Sequence, residues 1–182
     1  MSLGDVGPPS DQAALRAMAH PVRLQIMSLL TGAPLTAAEV ARELGLTHAN
    51  ASYHLRNLLH GGMIVLAGEE KIRGGVAKRY RYDSAAERDA TRARGEQSDE
   101  YHRTGYAAIA HELIRRSGAN HFQPGPKVLG DADLWIDPEK WAELRGRIAD
   151  ALVELHQVAQ PPRTPGTIRT STTVALFEME TP

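Results

Sequence analysis

Between Thr47 and Leu59 the chain reads THANASYHLRNLL, and this stretch concentrates side chains that exchange hydrogen bonds. An amide such as Asn50 pairs bidentately with an adenine edge, and a guanidinium such as Arg56 pairs with guanine or holds a phosphate. Ser52, Tyr53 and His54 carry donors suited to phosphate oxygens, contacts that set register without reading sequence. His48 and Ala49 complete the polar and small face. Singly, each of these residues is ordinary on a solvated helix. Together, on one helix that follows a tight glycine turn, they describe a surface for reading a groove.

A second group is basic. Lys71, Arg73, Lys78, Arg79 and Arg81 fall in a segment that reads as two strands around Gly74–Gly75. Such charges also guard an exposed sheet edge against aggregation. Alternation separates Arg79 and Arg81 from Tyr80 and Tyr82, so only part of the group faces a polyanion, and the tyrosines are expected in the core. A third set, Asp99, His102, His111 and Glu112, holds metal-ligand chemistry, and Asp99 and His102 share a helix face. Cysteine is absent, which removes thiolate sites. No dedicated metal site and no cofactor is expected. Nothing resembles a nucleophile elbow, a phosphate loop or a paired-carboxylate constellation, so the chain is not expected to be an enzyme.

The elements that must position these groups are legible from punctuation. Residues 1–10 read as a loose tail and Asp11–Ala19 as a short helix. His20-Pro21 restarts the chain, since proline suits a first helical position, and Val22, Leu24, Ile26, Met27, Leu29 and Leu30 give an apolar helix ending near Gly32. Thr36-Ala-Ala-Glu39 is a capping box. The helix it starts turns Val40 and Leu44 inward and stops at Gly45. Thr47 caps the next helix, in which Ala51, Leu55, Leu58 and Leu59 form the buried stripe. Two helices separated by about three residues are a helix-turn-helix, and the basic hairpin that follows makes the arrangement a winged helix.

Residues 84–118 read as one long helix, highly charged at first and then striped with Tyr106, Ile109, Ala110, Leu113 and Ile114. Residues 128–136 (VLGDADLWI) and 167–179 (TIRTSTTVALFEM) read as strands, the second rich in β-branched residues. Between them Asp137 and Pro138 start a helix with Trp141, Leu144, Ile148, Leu152 and Leu155 inside. A small α/β layer is expected, with Leu134 and Ile136 near Val174 and Leu176. Trp135 and Trp141 are expected as core, with a ligand pocket as the alternative.

At 182 residues, 42% hydrophobic and 24% charged, the composition is that of a globular protein of one domain or two small ones. There is no membrane-length apolar run and no secretory pattern at the start, so a cytoplasmic protein is expected. The net charge of −1 hides an asymmetry: residues 1–83 sum to +2 and 84–182 to −3. The positive half coincides with the polar helix and hairpin, which is compatible with a polyanion partner.

Residues 13–83 resemble the winged-helix domain of ArsR/SmtB-type bacterial transcriptional regulators. The resemblance runs through ALRAMAHPVRLQIMSLL, TAAEVARELGLTHANASYHLRNLLHGGMI and KRYRYD. Its most specific part is Ser52-Tyr53-His54-Leu55 with Leu58, and Ala-His-Pro-x-Arg at 19–23 matches a second signature. The remainder looks like the C-terminal extension of actinobacterial members. The resemblance implies a homodimeric, cytoplasmic regulator, usually a repressor, that places each recognition helix in a major groove of an inverted-repeat operator in double-stranded DNA. By position, His48, Ala49, Asn50, Ser52, Tyr53 and Arg56 would face the groove and His54 would touch a phosphate. Lys71, Arg73, Lys78, Arg79 and Arg81 would belong to the wing. The expected fold is α+β and mainly helical: a winged helix-turn-helix over 11–83, then a long dimerisation helix and a small α/β extension over 84–182. Two alternatives stand beside it: a regulator triggered by a metal or small-molecule effector in the C-terminal half, and a winged helix used as a protein-interaction module without DNA.

Overall fold

The computed structural model describes residues 20–72, 74–83, 99–118 and 125–180. The short helix expected over Asp11–Ala19, the charged segment 84–98, Arg73, and the side chains of Asp99 and His102 lie outside the described residues.

Helix α1 (Pro21–Gly32) begins with proline at its first turn and buries Ile26, Met27 and Leu30. A two-residue strand, β1 (Leu35–Thr36), leads directly into α2 (Ala37–Leu44). Thr36 serves both elements. The Glu39 N–H donates to its hydroxyl at 3.3 Å, and its own N–H donates to the Glu39 carboxylate at 2.7 Å, so the capping box is closed in both directions. Gly45 ends α2 at φ 65°, and the N–H groups of Gly45 and Leu46 both return to the Ala41 carbonyl. Only a left-handed residue permits that return, and glycine adopts it without a Cβ clash. Helix α3 (His48–His60) starts after Thr47, whose hydroxyl accepts from the Asn50 N–H at 3.2 Å.

Strands β2 (Val65–Ile72) and β3 (Gly75–Arg81) form an antiparallel hairpin with a bulge between Leu66 and Gly68. The sheet order is β1-β3-β2, because Leu35 and Thr36 pair with Tyr80 and Arg79. The core lies where these elements meet: Ile26, Leu30, Leu35, Val40, Ala51, Leu55, Leu58, Ile64 and Tyr80 are buried together. Tyr80 is core and Tyr82 packs against it, as the alternation requires. This is a winged helix-turn-helix, mixed α+β and mainly helical.

Helix α4 (Asp99–Ser117) packs on α1. Its buried face is not the apolar stripe: Leu113 and Ile114 are exposed, and Glu112 is buried at 3% exposure. Helix α5 (Pro138–Val158) is capped by Asp137, which accepts from the Glu139 and Lys140 N–H groups, both at 3.0 Å. It buries no residue fully; Trp141, Leu144 and Leu152 are half-buried, while Ile148 and Leu155 are exposed.

The α/β layer expected beyond α4 is not formed. Residues 128–136 and 167–179 join no sheet, and Leu134, Ile136, Val174 and Leu176 all stay exposed. β-branched composition describes what fits a pleated surface; a strand also needs a partner edge for its N–H and C=O groups, and neither segment has one among the described residues. Trp135 is exposed rather than core, and Trp141 donates its indole N–H to Glu178 at 3.0 Å.

Candidate nucleic-acid interface

Helix α3 divides cleanly around its axis. Ala51, Leu55 and Leu58 are buried against α1 and α2. On the opposite side Ala49, Tyr53, Arg56 and His60 are exposed, spaced by four, three and four residues, so they form one stripe along the helix. His48 and Asn50 are exposed beside its first turn, and Ser52 is half-buried on its flank. Tyr53 stands out at 53% exposure, while its carbonyl accepts from the Asn57 side chain at 2.8 Å. The first turn holds no acidic residue, so no carboxylate there offsets the positive end of the helix dipole.

His54 sits apart from this stripe. It is half-buried on the flank facing the start of α1, with its ring centroid 4.7 Å from that of His20 and 5.4 Å from that of Tyr53. Burial, followed by the charges of His20 and Arg23, holds its imidazole below the ordinary histidine value. The pairing of α3 with the His20-Pro-x-Arg23 segment was not read from the sequence.

The wing is more divided than its composition suggests. Lys71 and Lys78 are exposed, the latter opposite Glu69. Arg81 is exposed and lies 3.3 Å from Asp83. Arg79 is engaged inside the chain: it donates to Glu70 at 2.9 Å and to the Pro34 carbonyl at 2.6 Å, and its guanidinium reaches Glu39 at 3.4 Å. It thereby fastens β3 to β2 and to the entry of α2. Burial pushes the Glu39 carboxyl up, but the Thr36 N–H and hydroxyl, with Arg79 and Arg42, outweigh it and hold it below the ordinary carboxylate value. Among the described residues no three of His, Asp and Glu gather as metal ligands.

A family model described as a helix-turn-helix domain matches residues 18–67. The HTH-type transcriptional regulator YgaV of Escherichia coli is 43% identical over 58 residues, a match that covers 30% of this chain and 59% of that protein. Among solved structures, the homodimeric winged helix-turn-helix DNA-binding domain of a possible ArsR-family transcriptional regulator from Mycobacterium bovis matches at 19% identity and a TM-score of 0.35, covering 63% of this chain and 86% of that one. The adhesin competence repressor of Streptococcus pyogenes matches at 12% identity and a TM-score of 0.28, with 85% of each chain covered. The family model's match over residues 18–67 agrees with the helix-turn-helix of the described residues, in which the capping box and the Gly45 turn set α2 against α3.

Proposed function

We propose that the chain is a sequence-specific DNA-binding transcriptional regulator of the ArsR type, working as a homodimeric repressor in the cytoplasm. The observation that carries this reading is the exposed stripe of α3, a polar helix face held outward by a fully buried one. In this reading His48, Ala49, Asn50, Ser52, Tyr53 and Arg56 meet base edges and nearby phosphates in the major groove. His54, Lys71, Lys78 and Arg81 contact the backbone, and Arg79 holds the wing in place rather than touching DNA.

Two-fold symmetry would supply two such helices and an inverted-repeat operator with half-sites about one helical turn or more apart. The exposed Leu113 and Ile114 of α4 and Ile148 and Leu155 of α5 support dimerisation, because apolar groups in such number favour burial against a second copy. No described helix is long and apolar enough to cross a membrane.

The test is affinity selection of randomised duplex DNA by the purified protein, beside the double variant Asn50→Ala/Arg56→Ala. An inverted repeat enriched by the wild type and lost by the variant is the expected result. Equal recovery of the same DNA by both proteins would reject sequence reading through α3.

A further inference from the structure

We propose that α5 is a self-association surface: two copies of this chain pair their α5 helices antiparallel, across a seam of Trp141, Leu144, Ile148, Ala151, Leu155 and Val158. The inference rests on the homodimeric part of the reading above. It adds the helix, the direction and the register of the contact, and none of these depends on DNA.

Spacings of three, four, three, four and three place the six side chains at the a and d positions of a heptad pattern. They form one stripe that runs about 26 Å along the helix. A helix that serves only its own fold turns such a stripe inward. Helix α5 packs on α1, yet none of its residues is buried. Trp141 and Leu144 are half-buried, while Ile148, Ala151, Leu155 and Val158 are exposed. The chain's own contacts lie along one edge of the stripe. A rotation of about 100° per residue sets Arg145 and Leu152 beside Trp141 on that edge. There Leu152 is half-buried, the Trp141 indole N–H donates to Glu178 at 3.0 Å, and Arg145 lies 3.6 Å from the same carboxylate. The opposite edge, beside Ala151 and Val158, carries Arg147 and Glu154, both exposed.

Charge selects both the occupant and the direction. Arg147 and Glu154 hold the g positions that precede the a residues Ile148 and Leu155, where heptad helices meet by charge. A two-fold axis perpendicular to both helices keeps each edge on its own side, so the g edge of one copy faces the g edge of the other. Ile148 then lies across from Ala151 of the second copy, Leu144 from Leu155 and Trp141 from Val158. In that register Arg147 meets Glu154 of the second copy, and symmetry forms the pair twice. Both groups are available for it. Among the described residues Arg147 has one ion pair, to Glu143 at 3.7 Å, and Glu154 has none. A parallel pair would instead set the g edge against the edge of Arg145 and bring Lys140 onto Arg145, two like charges. The complement that this surface needs is an apolar stripe with the opposite charge order along its edge, and α5 read backwards supplies it.

The chain has no cysteine, so an introduced pair reports a single contact. Leu144→Cys and Leu155→Cys of the full chain are oxidised separately and as an equimolar mixture. The expected result is a disulfide-linked dimer in the mixture and little in either variant alone, because a disulfide needs the two Cα atoms within about 7 Å. Analytical ultracentrifugation then compares the wild type with Arg147→Glu, Glu154→Arg and the double reversal. Each single reversal sets like charges together at both symmetric sites and is expected to weaken dimerisation about tenfold, and the double reversal restores it. All four substituted side chains are exposed or half-buried in the single chain, and circular dichroism of each variant checks that its helices are intact. Linked dimer formed equally by each cysteine variant alone, or a double reversal no better than the singles, overturns the antiparallel seam. A wild type that sediments as a dimer while the mixture stays unlinked also overturns it, and leaves the homodimeric reading to another face such as Leu113 and Ile114 of α4. A wild type that stays monomeric at every concentration removes the seam and the homodimeric reading together, while DNA reading by α3 keeps its own test.

Discussion

The guanidinium of Arg163 lies 3.0 Å from the Glu43 carboxylate of α2, and Arg163 holds this place at φ 67°, in the left-handed region. A segment that follows α5 by five residues thus closes onto the helix that supports α3. The conformation costs about 1 kcal/mol or more for a residue with a Cβ, while an ion pair this exposed returns at most about 1 kcal/mol. Arg163→Ala keeps the strain and loses the pair, so its Tm is expected to fall slightly. Arg163→Gly loses the pair and the strain together and is expected to melt at or above the wild type. Equal melting of the two variants would show that the left-handed backbone is not maintained in solution.

Glu112 makes the pH dependence of the α1–α4 contact predictable. Burial pushes its carboxyl up, but hydrogen bonds from Arg115 and Arg116 outweigh burial and bring it to about 2 from an ordinary 4.5. A group whose folded value is depressed stabilises fully above its unfolded value, and that contribution fades as pH falls from about 4.5 toward 2. The loss amounts to about 3 kcal/mol at its limit. Glu112→Gln should flatten this part of the stability curve, measured by chemical denaturation at pH 5 and pH 3. An unchanged difference between the two pH values would assign the acid sensitivity to other carboxylates.

Two arginines of the winged-helix half should separate by phenotype. Arg56→Ala removes an exposed side chain with no hydrogen bond or ion pair among the described residues and is expected to weaken operator binding by about 1–3 kcal/mol with the Tm unchanged. Arg79→Ala removes the bonds to Glu70, the Pro34 carbonyl and Glu39. It is expected to lower the Tm by several degrees, since about 1 kcal/mol moves a domain of this size by that much. Fluorescence-anisotropy titration beside a thermal melt for each variant checks both halves of the statement.

Gly45 tests the turn itself. A Cβ there would meet nothing within 4 Å, so space does not oppose substitution, but φ 65° does. Gly45→Ala is expected to destabilise by about 1 kcal/mol, while Gly45→Asn should cost less because asparagine enters this region more readily. Denaturant midpoints for the pair report it, and equal losses would mean that crowding rather than backbone conformation governs the position.

Much of the helix-turn-helix was legible because its punctuation is local. The Thr36–Glu39 box, the Gly45 stop, the Thr47 cap and the Asp137–Pro138 start each join residues within about one turn of each other. The α3 stripe follows from helical periodicity alone, which is why its exposed and buried sides could be sorted before any packing was known.

What the sequence by itself determined about this protein is therefore where helices begin and end, which face of α3 is apolar, and that a hairpin follows it. Tertiary structure alone decided which side chains are already taken. Arg79 looks identical to Arg81 in the chain, and only the arrival of Pro34, Glu39 and Glu70 commits it to the fold. Strand β1 exists because Leu35 and Thr36 meet Tyr80 and Arg79, far along the chain, whereas the more strand-like 167–179 finds no edge among the described residues. Glu112, from a helix with an apolar stripe, became a buried charged residue because two arginines of its own helix and Gln25 of α1 surround it. The physical reason is common to all of these: caps and periodicity act within a turn, while ladders, ion pairs and burial depend on partners that only folding brings within reach.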